Sequence, residues 1–163
     1  LASHVLEEDV NAIINTNNEG NSWFIFNSII KNLNEPIFVL TCDNIFQMNL
    51  NKISREYFKL NQPDCMIVPT IPVPGLEGDY IEKNNQIISN LSRTKKTNIY
   101  CSGIQVLNPF KINSKYKERN NFKYLWRDLI RKKQLYCSNY KPKFWYAVDN
   151  LKQLKNLSKI KYD

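Results

Sequence analysis

Hydrophobic and polar positions along this chain follow two periods. Residues 10–14 form a short β-branched run closed by Asn15 and Thr16, which predicts a strand leading into a loop. Trp23, Phe26, Ile29, Ile30 and Leu33 then recur at helical spacing, with Asn21 or Ser22 as N-cap and Pro36 as the stop. Residues 37–40 are continuously apolar, as in a strand buried on both faces. A helix follows over "NLNKISREYFKL", with Leu50, Ile53, Tyr57 and Phe58 inward, and then a strand at "CMIVPTI".

The second half changes rhythm. "GDYIEKNNQIISNLSR" predicts a hairpin, residues 80–82 against 87–91 across the polar pair Asn84 and Asn85. "IYCSGIQVLNP" is a long strand interrupted by Gly103, and a glycine there marks a bulge or a close approach to the backbone. "NNFKYLWRDLIRKKQ" is a helix with Phe122, Leu125, Trp126, Leu129 and Ile130 on one face. Two short strands, "LYCSNY" and "FWYAV", lead to Asp149, and an amphipathic helix carries Leu151, Leu154 and Leu157. Strand, helix and strand in alternation predict an α/β protein with a mixed, mostly parallel sheet. There is no internal repeat and no linker, so residues 1–163 are expected to form one domain.

Composition changes this picture little. The chain has 163 residues, 42% of them hydrophobic and 12% aromatic, as a globular domain requires. Leu1 starts in mid-pattern with no signal-peptide features, so an upstream segment is expected to be missing. No apolar run approaches the roughly 20 residues that span a bilayer, and neither a membrane nor a secretory route is expected. Cys42, Cys65, Cys101 and Cys137 form no C-x-x-C pair, which fits free thiols in a cytoplasmic protein. The single histidine, His4, has no partner that would make it catalytic.

The formal charge of +8 invites a nucleic-acid reading. The cations are spread over helix faces, at Lys52, Arg55 and Lys59, at Arg127, Arg131, Lys132 and Lys133, and along the tail from Lys152 to Lys161. A solvated basic surface accounts for that spread, and no nucleic-acid partner is expected.

Two aspartates share a context. Asp43 and Asp149 each end an apolar strand-like run and each is followed by Asn. In open α/β sheets ligands bind beyond the carboxyl ends of strands, so the two are candidates to meet at one site. Two converging carboxylates suit Mg²⁺, which keeps several waters and takes one or two carboxylates plus substrate phosphates. The alternative is that each merely caps the turn or helix that follows it.

The order of "GNSW", "IFVLTCDN", "YIEKNNQIISNLSR", "IYCSGIQVLNP", "NFKYLWRDLI" and "FWYAVDNLKQL" resembles the sugar-1-phosphate nucleotidyltransferases, the family of glucose-1-phosphate thymidylyltransferase and N-acetylmuramate 1-phosphate uridylyltransferase. The resemblance covers nearly the whole chain but only the middle and C-terminal parts of the family domain. It implies a three-layer α/β/α, Rossmann-like fold, incomplete at its N-terminus because the family's Gly-rich phosphate loop is absent. By resemblance Asp43 and Asp149 are the metal-binding and catalytic carboxylates for Mg²⁺. Gly20 and Asn21 fall near the nucleotide base, and Gly103 lies against the sugar. Arg93 and Lys95, with Lys96 beside them, stand where relatives carry a Glu-Lys pair that reaches the sugar phosphate. Trp145 is expected to be core packing.

The implied reaction joins a nucleoside triphosphate to a sugar 1-phosphate, giving a nucleotide sugar and pyrophosphate for surface polysaccharide or glycoconjugate synthesis. Two other classes stay open, a non-catalytic remnant or regulatory domain of the same fold and a basic nucleic-acid-binding domain. A homo-oligomer is left open as well.

Overall fold

The computed structural model describes residues 10–159. His4 and the last residues of the lysine-rich tail lie outside them.

The elements in chain order are α1 (Trp23–Asn27), a 3₁₀ turn (Ile29–Asn32), β1 (Ile37–Val39), β2 (Asn44–Gln47), α2 (Leu50–Lys59), β3 (Cys65–Thr70), β4 (Tyr80–Asn84), β5 (Ile87–Ser92), β6 (Tyr100–Leu107), α3 (Pro109–Lys115), α4 (Phe122–Arg131), β7 (Leu135–Cys137), β8 (Phe144–Ala147) and α5 (Leu151–Leu157). Asparagine opens four of the helices: Asn49, Asn108, Asn121 and Asn150 each accept a hydrogen bond from a backbone N–H of the first turn.

Six strands form one sheet in the order β1-β6-β3-β7-β5-β4, and β2 with β8 forms a separate two-stranded ribbon. The period of two is clearest in β3. Cys65 and Ile67 face a cluster with Ile25, Phe26, Leu125 and Leu129, whereas Met66 and Val68 face one with Ile53, Tyr57 and Trp145. The sheet is therefore covered by α1 and α4 on one side and by α2 and the ribbon on the other. That is the expected α/β layering.

The expected strand direction needs correcting. The sheet is mixed but mostly antiparallel, and β3 with β7 is the parallel pair. β1 and β3 do run the same way across the α2 crossover. The long strand β6 is inserted between them, antiparallel to both. A pairing made by a strand so distant in sequence leaves no trace in local periodicity.

Four local expectations also change. Residues 10–14 form no strand, and Val10, Ile13 and Ile14 are exposed. The helix expected over residues 23–33 breaks at Ser28, whose backbone is extended and whose hydroxyl accepts the Ile30 N–H. A serine that satisfies the backbone locally competes with the helix ladder in this way. On α2, Leu50 and Phe58 are exposed, and the inward stripe is Ile53, Glu56 and Tyr57. The hairpin forms as expected, but its turn is Asn85 and Gln86, with Asn85 at φ +52°.

A bulge in β6 shapes the region beside the ribbon. Ile67 pairs with Gln105 and Pro69 with Cys101, so β6 spends two more residues than β3 over that span. Pro69 has no N–H to donate and is tolerated at such an irregularity. Gly103 lies within the bulge at φ +80°.

Candidate functional site

The ribbon brings the two aspartates together. Asn44 pairs with Ala147 in the β2–β8 ladder, and one step further the Asp43 carbonyl accepts the Val148 N–H at 2.9 Å. Asp43 thus enters β2 where Asp149 leaves β8. The strand that ends in Asp43 is not quite the one expected. β1 stops at Val39, a turn falls at Cys42 and Asp43, and Asp43 directly precedes the ribbon strand.

Capping does not account for Asp149. Asn150 caps α5 through its side-chain oxygen, 3.0 Å from the Gln153 nitrogen, while the Asp149 N–H donates to Gln153 Oε1 at 2.6 Å. Both carboxylates are exposed, and neither has a hydrogen-bond or ion-pair partner among the described residues.

Both line a cavity of about 410 Å³, with Gly103, Asn21 and Arg93. The Gly103 segment is held from below. The Ser102 carbonyl accepts from Asn44 Nδ2 at 2.5 Å and from Trp145 Nε1 at 2.8 Å, and Ser102 Oγ donates to the Val68 carbonyl at 2.7 Å. Asn44 Nδ2 also donates to the Thr41 hydroxyl. A Cβ on Gly103 would stand 2.6 Å from Asn44 Nδ2 and 2.7 Å from Thr41 Oγ1. Glycine is thus required here by the residues on either side of Asp43, whatever ligand lies above. Trp145 is buried as expected, with its indole N–H committed to the bulge.

The opposite wall is the start of α4. Asn21 Oδ1 accepts the Phe122 N–H at 3.0 Å, Ser22 Oγ donates to the Arg119 carbonyl at 2.6 Å, and the Gly20 N–H donates to Asn120 Oδ1 at 2.9 Å. Gly20 does not line the cavity, and a Cβ there would meet the Asn120 carbonyl oxygen at 1.9 Å. In this structure Gly20 and Asn21 latch the preceding loop to α4. Phe122 and Trp126 stack with centroids 5.7 Å apart, and Trp126 Nε1 donates to Gln105 Oε1 at 2.9 Å.

Of the two cations expected at the sugar phosphate, one reaches the cavity. Arg93 lies on its rim, where Nη1 and Nε sit 3.3 Å from Glu77 and from Asp79. Lys95 is not a lining residue, because its ammonium is held 2.5 Å from Glu82 on the hairpin. That contact holds the Glu82 carboxyl below its usual value, ahead of the hydrogen bond from Asn90. Glu77, Asp79 and Lys123 were not expected at the site. Glu77 and Asp79 sit on a loop without periodicity, and Lys123 reads as one cation on a basic helix face.

Burial raises the Cys101 thiol, beside the same cavity, well above its ordinary value. Among the described residues no three His, Cys, Asp or Glu side chains gather closely enough to hold a metal by themselves. Two free carboxylates on an open cavity are instead the donor set that Mg²⁺ takes when it keeps its waters and shares substrate oxygens.

No family model matches the sequence, and no curated protein matches it significantly. Solved structures do match. They include HddC from Yersinia pseudotuberculosis, at TM-score 0.69 and 15% identity over 95% of this chain and 70% of that one. The inositol-1-phosphate CTP transferase from T. maritima aligns at TM-score 0.67 and 12% identity over 93% and 66%. A Bacillus anthracis protein described as a glucose-1-phosphate thymidylyltransferase, solved with sucrose, aligns at TM-score 0.61 and 14% identity over 80% and 57%. This chain has the fold of the sugar-1-phosphate nucleotidyltransferases. It spans between 57% and 70% of the length of these structures.

Proposed function

We propose that the protein of which this chain is part transfers a nucleotidyl group from a nucleoside triphosphate to a sugar 1-phosphate or a similar phosphorylated alcohol, releasing pyrophosphate. The observation that carries the reading is the shared exit of Asp43 and Asp149 from one end of the β2–β8 ribbon, both carboxylates free and facing one cavity.

In this reading Asp43 and Asp149 hold Mg²⁺, which supplies charge stabilisation to the phosphate oxygens as they react. The chain's own residues position the substrates. The bulge at Gly103 brings its backbone to the cavity wall, where a sugar would lie against it. Arg93, and Lys123 from the first turn of α4, supply the cations for the phosphates. Arg93 would leave or share its two carboxylates to do so. Lys95 is left out, since it does not line the cavity. In-line attack of the acceptor phosphate oxygen on the α-phosphorus needs no covalent enzyme intermediate, so orientation and charge carry the rate.

Among the described residues no helix is long and apolar enough to cross a membrane. We place the reaction in the cytoplasm, in the supply of nucleotide sugars for surface glycans.

The test incubates the complete gene product with each of the four ribonucleoside triphosphates and with dTTP, a panel of sugar and polyol phosphates, and Mg²⁺, and measures pyrophosphate release. Activity that depends on Mg²⁺ and falls in both Asp43→Asn and Asp149→Asn supports the assignment. Full pyrophosphate release by both variants would make it wrong.

A further inference from the structure

A second cleft, of about 420 Å³, lies along the outer edge of α2 and shares no lining residue with the carboxylate cavity. Lys52, Arg55 and Lys59 recur along that helix at spacings that place them on one side, and all three line the cleft. Asn139 and Tyr140 face them from the loop that precedes β8.

None of the three cations has a carboxylate or aromatic partner among the described residues. Several other cations of this chain are compensated, although among the described residues Lys133 and the lysines of α5 are not. Arg119 and Arg131 share Asp128 at 2.7 and 3.4 Å, Lys115 sits 2.6 Å from Asp64, and Arg127 and Lys132 lie over tyrosine rings.

The carboxylate inside the cleft does not compensate them either. Glu56 is 8% exposed and its oxygens are occupied by Gln86 Nε2 at 2.8 Å, the Asn139 N–H at 3.0 Å and the Ser138 hydroxyl. It ties α2, the hairpin turn and the loop before β8 together, and so fixes the walls of the cleft. The lining carries three cations against one committed carboxylate. In the other cavity four carboxylates stand against Arg93 and Lys123.

We propose that the α2 cleft is a binding site for a small polyanion that carries two adjacent phosphates, held by Lys52, Arg55 and Lys59. Three cations on one helix side, lining one cleft within two turns, match a group of two or three negative charges. The uncompensated repulsion among them is relieved when that group binds. The site does not depend on the nucleotidyl-transfer reading, because it uses none of the same residues.

Pyrophosphate is the probe, titrated into the ¹⁵N-labelled chain in metal-free buffer at constant ionic strength, with UDP as a second arm. The expected result is saturable movement of the Gln86 and Asn139 side-chain amides by both ligands. Affinity should fall at least tenfold in the Lys52→Ala/Arg55→Ala/Lys59→Ala variant and stay unchanged in Asp43→Asn/Asp149→Asn. All three α2 side chains are exposed, so the triple variant is expected to fold. Equal affinity in the triple variant, non-saturable shifts reproduced by chloride, a response to UDP alone, or loss of binding in the aspartate variant would each overturn the proposal.

Discussion

The carbonyl of Asp43 and the N–H of Val148 form a 2.9 Å hydrogen bond that closes the end of the β2–β8 ribbon. It makes the positions of Asp43 and Asp149 mutually dependent. A shift of the ribbon by one residue would turn every side chain on it over and send the two carboxylates to different places. Behind this bond the cross-strand pair Phe46 with Trp145 sets that register through packing against the core, while Ile45, opposite Tyr146, stays exposed.

Asp43→Asn and Asp149→Asn each keep the shape of the side chain and remove its charge. Under the proposed reaction each is expected to lower pyrophosphate release by about 100-fold or more, since a metal contributes several kcal/mol of charge stabilisation. Both residues are exposed, so the melting temperature should barely move. Steady-state rates across a Mg²⁺ titration separate the two effects. A large fall in melting temperature with an unchanged rate would mean the carboxylates are structural.

How much of this was legible in the sequence differs between the two walls of the cavity. Asp43 and Asp149 stood out because a charge at the end of an apolar run is unusual and runs are visible locally. The ribbon that joins them was not, because β2 is a four-residue strand whose alternate residues are only partly buried. Gly103 was flagged as a bulge on sound grounds, yet its neighbours Thr41 and Asn44 arrive from far along the chain. On α2 the expected stripe chose Leu50 and Phe58 over Glu56, since a buried carboxylate contradicts hydrophobic patterning. Glu56 is buried because Gln86, Ser138 and Asn139 satisfy it, which only the fold can show.

Gly103 and Gly75 offer a controlled comparison. Both have positive φ, +80° and +82°, but a Cβ on Gly75 would meet nothing within 4 Å. Gly75→Ala is expected to cost about 1–2 kcal/mol, the strain of a left-handed non-glycine residue. Gly103→Ala adds the collision with Asn44 and Thr41 and is expected to cost at least about 2 kcal/mol more. Urea unfolding of the two variants measures the difference directly, and equal losses would mean that the Thr41–Asn44 turn yields freely.

The buried thiols predict how stability changes in alkali. Burial raises Cys137 from 9.0 to about 11, and Cys65 and Cys101 move in the same direction. A group whose pKa is raised by folding holds its proton more tightly in the native state. Its contribution is complete below pH 9 and is lost as pH rises toward 11. Thermal unfolding followed by circular dichroism from pH 8 to pH 11 should show the melting temperature falling above pH 9, with a shallower fall in Cys137→Ala. A flat profile to pH 11 would contradict the burial of these thiols. Exposed Cys42 should be alkylated first at neutral pH, well before the other three.

Arg93 and Lys95 are two residues apart, and both are exposed and ion-paired, but Arg93 alone of the two lines the cavity. Exposed pairs of this kind contribute roughly 0–1 kcal/mol each, so Arg93→Ala and Lys95→Ala should leave stability nearly unchanged. Their kinetics should part. If Arg93 turns from Glu77 and Asp79 to an acceptor phosphate, its loss raises KM for the phosphorylated acceptor by about tenfold, the value of one charge-assisted contact. Lys95→Ala should leave KM where it was. Loss of the cation also leaves Glu77 and Asp79 facing the incoming phosphate unscreened, so the Arg93→Ala defect should shrink in the Arg93→Ala/Glu77→Gln/Asp79→Asn variant. A KM that rises equally in the two single variants would assign the effect to the net charge of the hairpin edge instead of to Arg93.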